Sequence, residues 1–268
     1  NYPFAEQLAM DVYSVNGVLV PIAYRNTLAN EDITWETSEM FDVGFDAALW
    51  NKLTLTADFY VKNTHGILMT LNIPLSAGLN APYQNAGEVR NIGWELSAGY
   101  HDSWGDFRLG IDANVSDVLN KITDMKGQYE SRSGGIIRNQ EGYSINSIYG
   151  LNCIGMARTQ EEADWVNLNL RQYGKDIVPG DLIYADTDGD GAVTDADMTV
   201  IGSTVPRYTY GATLSFGWRG LDFSAFFQGV GKVDSYLSSY FVQPCINGGT
   251  FRKEHLDRWT PQTPDGFY

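Results

Sequence analysis

Cysteine is scarce. Cys153 and Cys245 are the only two in 268 residues, and they form no Cys-x-x-Cys pair. A disulfide framework needs more of them. The three histidines, His65, His101 and His255, are scattered, and ordinary surface or loop roles account for them. Positive charge is also in deficit: 18 basic side chains face 33 acidic ones, a formal charge of −15. Phosphate backbones and anionic headgroups repel such a chain, which discounts nucleic acid as a partner. Acidic loops suit cations, neutral sugars or basic partners instead. No apolar run approaches the ~20 residues of a membrane-spanning helix, so a helical membrane protein is excluded. A barrel is not, because its strands alternate and escape hydropathy windows. The chain lacks a Gly-x-Ser-x-Gly elbow, a Ser-x-x-Lys pair, a His-Glu-x-x-His helix and a Walker loop. Glu161 and Glu162 are adjacent, and adjacent side chains on a helix diverge, so they make no glycosidase pair. An enzyme is not expected. The chain starts at Asn1 without a charged-then-apolar leader, and reads as processed or as a piece of something longer.

What the sequence has is period two. Phe41, Val43, Phe45, Ala47 and Leu49 alternate with Asp42, Gly44 and Asp46. Leu53 to Val61, Ile92 to Tyr100, Phe107 to Val115 and Tyr210 to Trp218 repeat the pattern, and it returns from Leu221. Successive side chains of a strand point to opposite faces, so these are half-buried strands. Each run is ~10 residues, against ~5–6 for a typical soluble strand, and a transmembrane strand needs ~9–11. Short turns join the runs in pairs, at Trp50-Asn51-Lys52, at His101 to Asp106 and at Arg219-Gly220-Leu221. Long segments separate the pairs: His65 to Arg90, Thr123 to Pro206, and Val233 onward. Short turns on one side and long loops on the other mark an outer-membrane barrel. A soluble β-sandwich also alternates and stands as the competing architecture. Tyrosine (16) exceeds phenylalanine (12), which suits sugar-stacking surfaces or membrane-interface belts. Within the longest segment, "RTQEEADWVNLNLRQYG" reads as a short helix, with Glu161, Glu162 and Asp164 in its first turns and Arg171 near its end.

One stretch carries metal chemistry. In "DTDGDGAVTDAD", Asp186, Asp188 and Asp190 hold positions 1, 3 and 5, and Gly191 stands at the sharp turn. Ala192 offers a backbone carbonyl, Val193 points into the fold, Thr194 can ligate through water, and Asp197 closes the loop. Calcium takes six to eight oxygens in flexible geometry, and this spacing wraps them around one point. Aspartate at the twelfth position has a shorter arm than the usual glutamate. An EF-hand needs a helix on each side, whereas "PGDLIYA" and "MTVIGSTVPRYTYG" are extended. A dockerin usually needs a second loop, and none follows. A solvated acidic turn is the plain alternative.

Taken together these stretches resemble one family. "NEDITWETSEMFDVGFDAALWNKLTLTADFYVKNTHGIL" is similar to the barrel segment of SusC/RagA-type TonB-dependent outer-membrane transporters, with Asn30 to Glu36 in place of the family's Asn-Pro-x-Leu-x-Trp-Glu-like stretch. "NAGEVRNIGWELSAGY" resembles a strand motif matched at Asn85, Gly87, Asn91, Gly93, Glu95 and Leu96. "PGDLIYADTDGDGAVTDADMTVIGSTVPRYTYG" resembles the family's Gly-Asp-x-x-Tyr-x-Asp signature, matched at Gly180, Asp181, Tyr184, Asp186, Asp188, Gly189, Asp190 and Gly191, then at Gly202, Pro206, Tyr210 and Gly211. "LDFSAFFQGVGK" and "RWTP" continue the likeness.

The resemblance implies an all-β fold: a segment of an antiparallel transmembrane β-barrel with long extracellular loops, in the outer membrane of a Gram-negative bacterium. Two barrel hairpins are expected over 39–122, an extracellular insert over 123–206, a third hairpin over 207–232 and an extracellular loop over 233–268. The plug and the closing strands of a 22-stranded wall are expected elsewhere. The implied function is import of an oligosaccharide or peptide, with a SusD-like surface lipoprotein as lid and TonB as energy source. The runners-up are a secreted calcium-stabilised β-sandwich that binds glycans, and a passive porin. Phe45, Phe59, Trp94, Leu109, Leu214 and Phe223 are expected to face hydrocarbon, and Asp46, Asp58, Asp112 and Ser215 the lumen. Calcium is expected on Asp186, Asp188, Asp190, the Ala192 carbonyl and Asp197, with Thr194 through water, as a structural ion. Tyr83, Tyr129, Tyr143, Tyr149 and Trp165 either stack on sugars or pack their loops, and no substrate residue is assigned. Pairing of Cys153 with Cys245 stays open, because spacing gives no Cα separation.

Overall fold

The computed structural model describes residues 7–71, 73–238 and 242–266. β1 (Gln7–Val15) and β2 (Val18–Thr27) form a hairpin. β3 (Thr37–Leu49), β4 (Leu53–Thr70), β5 (Tyr83–Trp104) and β6 (Phe107–Asp124) follow as a meander. Short elements come next: β7 (Tyr129–Arg132), β8 (Ile137–Gln140), β9 (Ser147–Gly150), β10 (Cys153–Met156), the helix α1 (Gln160–Asn169), β11 (Arg171–Gln172), β12 (Leu182–Tyr184), β13 (Ala192–Val193) and β14 (Thr199–Ser203). β15 (Arg207–Trp218) and β16 (Leu221–Lys232) complete the strands. The chain divides into two compact units. The first carries β1 to β6, β15 and β16, and the second carries α1 and β9 to β14.

The first unit is built on one antiparallel sheet in the order β16-β15-β6-β5-β4-β3. Its register keeps the alternation in phase across the strands. Phe45, Ala57, Leu96, Val115 and Tyr210 stand side by side. One residue away, so do Asp46, Thr56, Ser97, Asn114, Gly211 and Gln228. A slip of one residue on any strand would put its apolar set among the polar set, so the pattern itself specifies the register. The turns at Trp50-Asn51-Lys52 and at Arg219-Gly220 hold. Arg219 and Gly220, with φ of 47° and 88°, link the paired residues Trp218 and Leu221. Two consecutive left-handed residues make the turn whose twist matches that of the strands.

Two expectations need correction, and one hairpin is additional to them. The turn read from His101 to Asp106 is tighter, because β5 continues to Trp104. His65 to Arg90 is mostly strand: β4 runs to Thr70 and β5 begins at Tyr83. Register shifts between Thr64 and Leu68 carry the pairing past the point where alternation breaks, and such bulges hide a strand from a period-two reading. The β1–β2 hairpin was not foreseen, although Asn16-Gly17, with φ of 52° and 81°, is the strongest short hairpin signal there is.

The second unit packs α1 on a small apolar core of Ala157, Ala163, Val166 and Ile177. The helix starts because the Thr159 hydroxyl accepts the Glu162 N–H (3.2 Å) while the Glu162 carboxylate accepts the Arg158 N–H (2.7 Å). Arg171 lies beyond the helix as the first residue of β11. Two side-chain amides, the half-buried Asn167 and the buried Gln172, tie the extended segments. Asn167 exchanges hydrogen bonds with the Ile177 backbone (2.7 and 2.9 Å), and Gln172 donates to the Leu182 carbonyl and accepts from the Tyr184 N–H (3.0 and 2.7 Å).

Candidate functional site

The acidic loop lies between β12 and β14. Its middle is pinned by β13, which pairs in parallel with β11, and Val193 is fully buried as expected. Each early aspartate folds the loop around itself. Asp186 accepts the Gly189 and Gly191 N–H groups (2.7 and 2.9 Å), Asp188 accepts that of Asp190 (3.1 Å), and Asp190 accepts that of Ala192 (2.8 Å). One oxygen from each of Asp186, Asp188 and Asp190 then lies within 4.8 Å of the others. The Asp190 N–H favours the charged Asp188 carboxylate, but burial and the charges of Asp190, Asp197 and Asp186 outweigh it, so the Asp188 pKa sits above the ordinary carboxylate value.

Asp197 stands apart from that trio. Its side chain is fully buried. It accepts the N–H groups of Thr194 (2.8 Å), Thr187 (2.7 Å) and Asp188 (3.4 Å). The Thr194 N–H leads in holding its pKa below the ordinary value, against the cost of burial. The Thr194 hydroxyl accepts the Ala196 N–H (3.1 Å), and Thr194 and Asp197 together form a reciprocal cap on the short 3-10 turn Asp195–Asp197. Burial, followed by a hydrogen bond to Asp195 (2.8 Å), holds the Tyr173 hydroxyl above its usual pKa. The structure therefore gathers the carboxylates of Asp186, Asp188 and Asp190 at one point. It uses Thr194 and Asp197 to shape the turn behind them, and it keeps Ala192 in β13. The donor set suits a hard, oxygen-seeking ion.

The sheet presents two unlike faces. On the apolar one, Phe41, Val43, Phe45, Phe223 and Phe227 are all more than 45% exposed, a large unscreened hydrocarbon surface. Phe59, Trp94, Leu109 and Leu214 have the same parity. Toward the turns this face carries an aromatic ladder. Trp104, Phe107, Phe216 and Phe223 stack in sequence at centroid distances of 6.1, 6.3 and 5.0 Å. On the polar face, Asp46 accepts the Thr56 hydroxyl (2.6 Å), Asp112 meets His101 (2.9 Å), and Ser215 donates to the Gly110 carbonyl (3.2 Å). Asp58 lies over Gly44, where a Cβ would stand 2.0 Å from its oxygen.

Sequence reading missed one charged pair. Asp117 has the parity of the apolar face, opposite Trp94, and is buried under a two-bond grip from Arg207 (2.5 and 2.5 Å). The signal was an aspartate breaking the apolar set of β6 next to Val118 and Leu119. The loop aromatics have separate environments. Tyr149 packs under Arg138 at 3.8 Å, while Tyr83, Tyr129, Tyr143 and Trp165 are exposed. Cys153 and Cys245 are exposed and free.

Long paired antiparallel strands, one hydrocarbon face, one polar face and an aromatic rim define a membrane β-barrel wall. The model of the TonB dependent receptor-like, beta-barrel family matches residues 7–251, and the chain belongs to that family. It is 32% identical over 251 residues to TonB-dependent receptor P26 of Formosa agariphila, covering 88% of this chain and 24% of the relative. It is 30% identical to TonB-dependent receptor P3 of the same organism, covering 92% of this chain and 25% of the relative. The chain thus spans about a quarter of the curated relatives it matches. Its fold is shared with the RagAB peptide importer in the 'open-open' state, at a TM-score of 0.67 and 22% identity over 86% of this chain and 24% of that one. A second RagAB peptide transporter structure gives 0.63 and 24%, over 85% of this chain and 24% of that one. Proteins of the family sit in the Gram-negative outer membrane. Family membership sets aside the secreted sandwich.

Proposed function

We propose that the chain forms part of the wall of a SusC/RagA-type importer that takes oligosaccharides or peptides across the outer membrane. A SusD-like surface lipoprotein would serve as its lid and TonB as its energy source. The match of the family model to residues 7–251, on a sheet whose register separates a hydrocarbon face from a polar one, carries the reading. Peptide cargo draws support from the fold shared with RagAB, oligosaccharide cargo from nothing in the chain beyond exposed loop aromatics such as Trp165. Uptake of labelled peptides and labelled oligosaccharides by cells with and without the full-length gene tests it. Loss of one uptake, repeated when TonB is removed, is the expected result. Uptake of both unchanged by the deletion would overturn it. A tagged full-length receptor should co-purify with a lipoprotein.

For the acidic loop the reading is a structural calcium staple. Asp186, Asp188 and Asp190 would hold the ion, and Ala192, Thr194 and Asp197 shape the turn that presents them. Calcium supplies charge neutralisation for three crowded carboxylates, and the loop's own hydrogen bonds set its path from β12 to β14. Titration calorimetry of the full-length protein with calcium should show binding that Asp190→Ala abolishes. No binding at millimolar calcium leaves only a solvated acidic turn.

A further inference from the structure

We infer that Arg90 and Lys121 form a site for the phosphate headgroup of an outer-membrane lipid, at the end of the sheet opposite the tight turns. The register sets Arg90 on β5 directly against Lys121 on β6, with Asn63 of β4 beside Arg90 in the same row. Both cations are exposed. Like charges directly opposite each other destabilise a pair of strands, and an anion held between them removes that cost. The neighbouring acids are engaged elsewhere. Glu88 meets His65 (3.3 Å), Asp124 meets Lys126, and Asp117 is held by Arg207. Glu39 lies on β3, on the far side of Asn63. Among the described residues, neither Arg90 nor Lys121 has an ion-pair partner. The Asn63 side-chain oxygen accepts the Arg90 Nε–H (2.7 Å), which orients the guanidinium and leaves its two terminal nitrogens to donate outward. A phosphate takes such paired donors together with a lysine ammonium.

Face and height select a lipid as the source of that phosphate. Arg90 has the parity of Ile92 and Trp94, and Lys121 that of Leu119, in the next rows toward the turns. That parity belongs to the hydrocarbon face. Trp104, fourteen residues farther along β5, stands in the aromatic ladder near the turns. Fourteen residues of strand span ~48 Å, and a tilt of ~35–45° turns this into ~34–39 Å along the membrane normal. The apolar band of such a barrel is ~25 Å tall, and a bilayer with its headgroups is ~40–45 Å thick. With the tryptophan at one interface, the two cations stand among the headgroups of the other. The molecules packed against that face at that height are lipids, and the group they offer a cation pair is phosphate. An acidic protein segment would have to displace those lipids to reach it.

The inference rests on the membrane wall and is independent of the cargo, so the uptake assay can fail while it stands. The full-length receptor in detergent is mixed with phosphatidic acid, and retained lipid is counted by native mass spectrometry. The parent should retain phosphatidic acid several-fold better than the double variant Arg90→Gln, Lys121→Gln. Lys62→Gln, which removes a cation from the polar face of β4 opposite Asn91, should retain it as the parent does. Heat-modifiable migration in detergent reports assembly of each variant, and Lys121→Gln alone serves if the double variant fails to assemble. Millimolar inorganic phosphate should leave the lipid in place, and its displacement would assign the pair to free phosphate and overturn the lipid. Equal retention by the parent and the double variant overturns the site and leaves the barrel intact. A parent without heat-modifiable migration overturns the membrane wall itself.

Discussion

At the scale of single residues, close cross-strand contacts set the limits on substitution. Gly93 on β5 pairs with Tyr60 on β4, and a Cβ there would stand 2.3 Å from the tyrosine ring. Gly93→Ala should overpack this contact and cost ~1–3 kcal/mol in reversible unfolding of the full-length protein. In a Tyr60→Ala background the ring is gone, so the same change should be nearly silent. A double-mutant cycle measures the difference, and equal costs in both backgrounds would disprove the contact. Asp197 offers a second residue-scale test. Three backbone N–H groups end on its buried carboxylate, and Asp197→Ala strands them. Limited proteolysis should then cut between Asp186 and Asp197 faster than in the parent. Unchanged cleavage would mean the loop holds without its brace. The spacing of Asp186, Asp188 and Asp190 was legible in the sequence because loop position alone brings those oxygens together. The hydrogen bonds that Asp197 accepts were not, because they depend on Thr187 and Thr194 turning their N–H groups inward, which no spacing rule records.

At the scale of elements, the strands that alternate were readable and the others were not. Phe41 to Leu49 and Leu53 to Val61 have no competing period, and the register they imply is the one observed. Beyond Thr64 the bulge breaks the rhythm, so the outer parts of β4 and β5 looked like loop. The pairs β10–β12 and β11–β13 involve three residues or fewer on one strand, too few for any periodicity. The two-face arrangement leads to a directional prediction. Leu214→Arg on the apolar face should cost ~2–4 kcal/mol in barrel stability if it lies near the bilayer midplane. Thr213→Arg, one residue along on the polar face, should cost far less. Unfolding of the full-length variants in detergent or bilayer decides it, and equal costs would contradict the assignment of faces. The helix gives a smaller effect. Thr159→Ala removes the hydroxyl that caps α1 and should cost ~1 kcal/mol, read as faster hydrogen exchange at the first-turn amides of α1. Protection equal to the parent's would show that the Glu162 half of the cap suffices.

At the scale of the molecule, the remaining question is which way the wall stands in the membrane. Three tight turns lie at one end of the sheet, between β3 and β4, β5 and β6, and β15 and β16. Ion pairs join them into a rim: Lys52 with Asp102 (2.8 Å), Arg219 with Asp106 (3.0 Å) and Arg108 with Asp222 (2.9 Å). A tryptophan sits beside each turn, Trp50, Trp104 and Trp218, and each is at least half exposed. Short turns with interfacial aromatics belong to the periplasmic side of outer-membrane barrels, and the long connections to the outside. Cysteines introduced singly as Asn51→Cys and Gln140→Cys, in full-length protein with Cys153→Ser and Cys245→Ser removing the two exposed native thiols, test this on intact cells. A membrane-impermeant thiol reagent should label position 140 at once. It should label position 51 only after the outer membrane is permeabilised. Immediate labelling at 51 with none at 140 would invert the wall, placing the ion-paired rim on the cell surface.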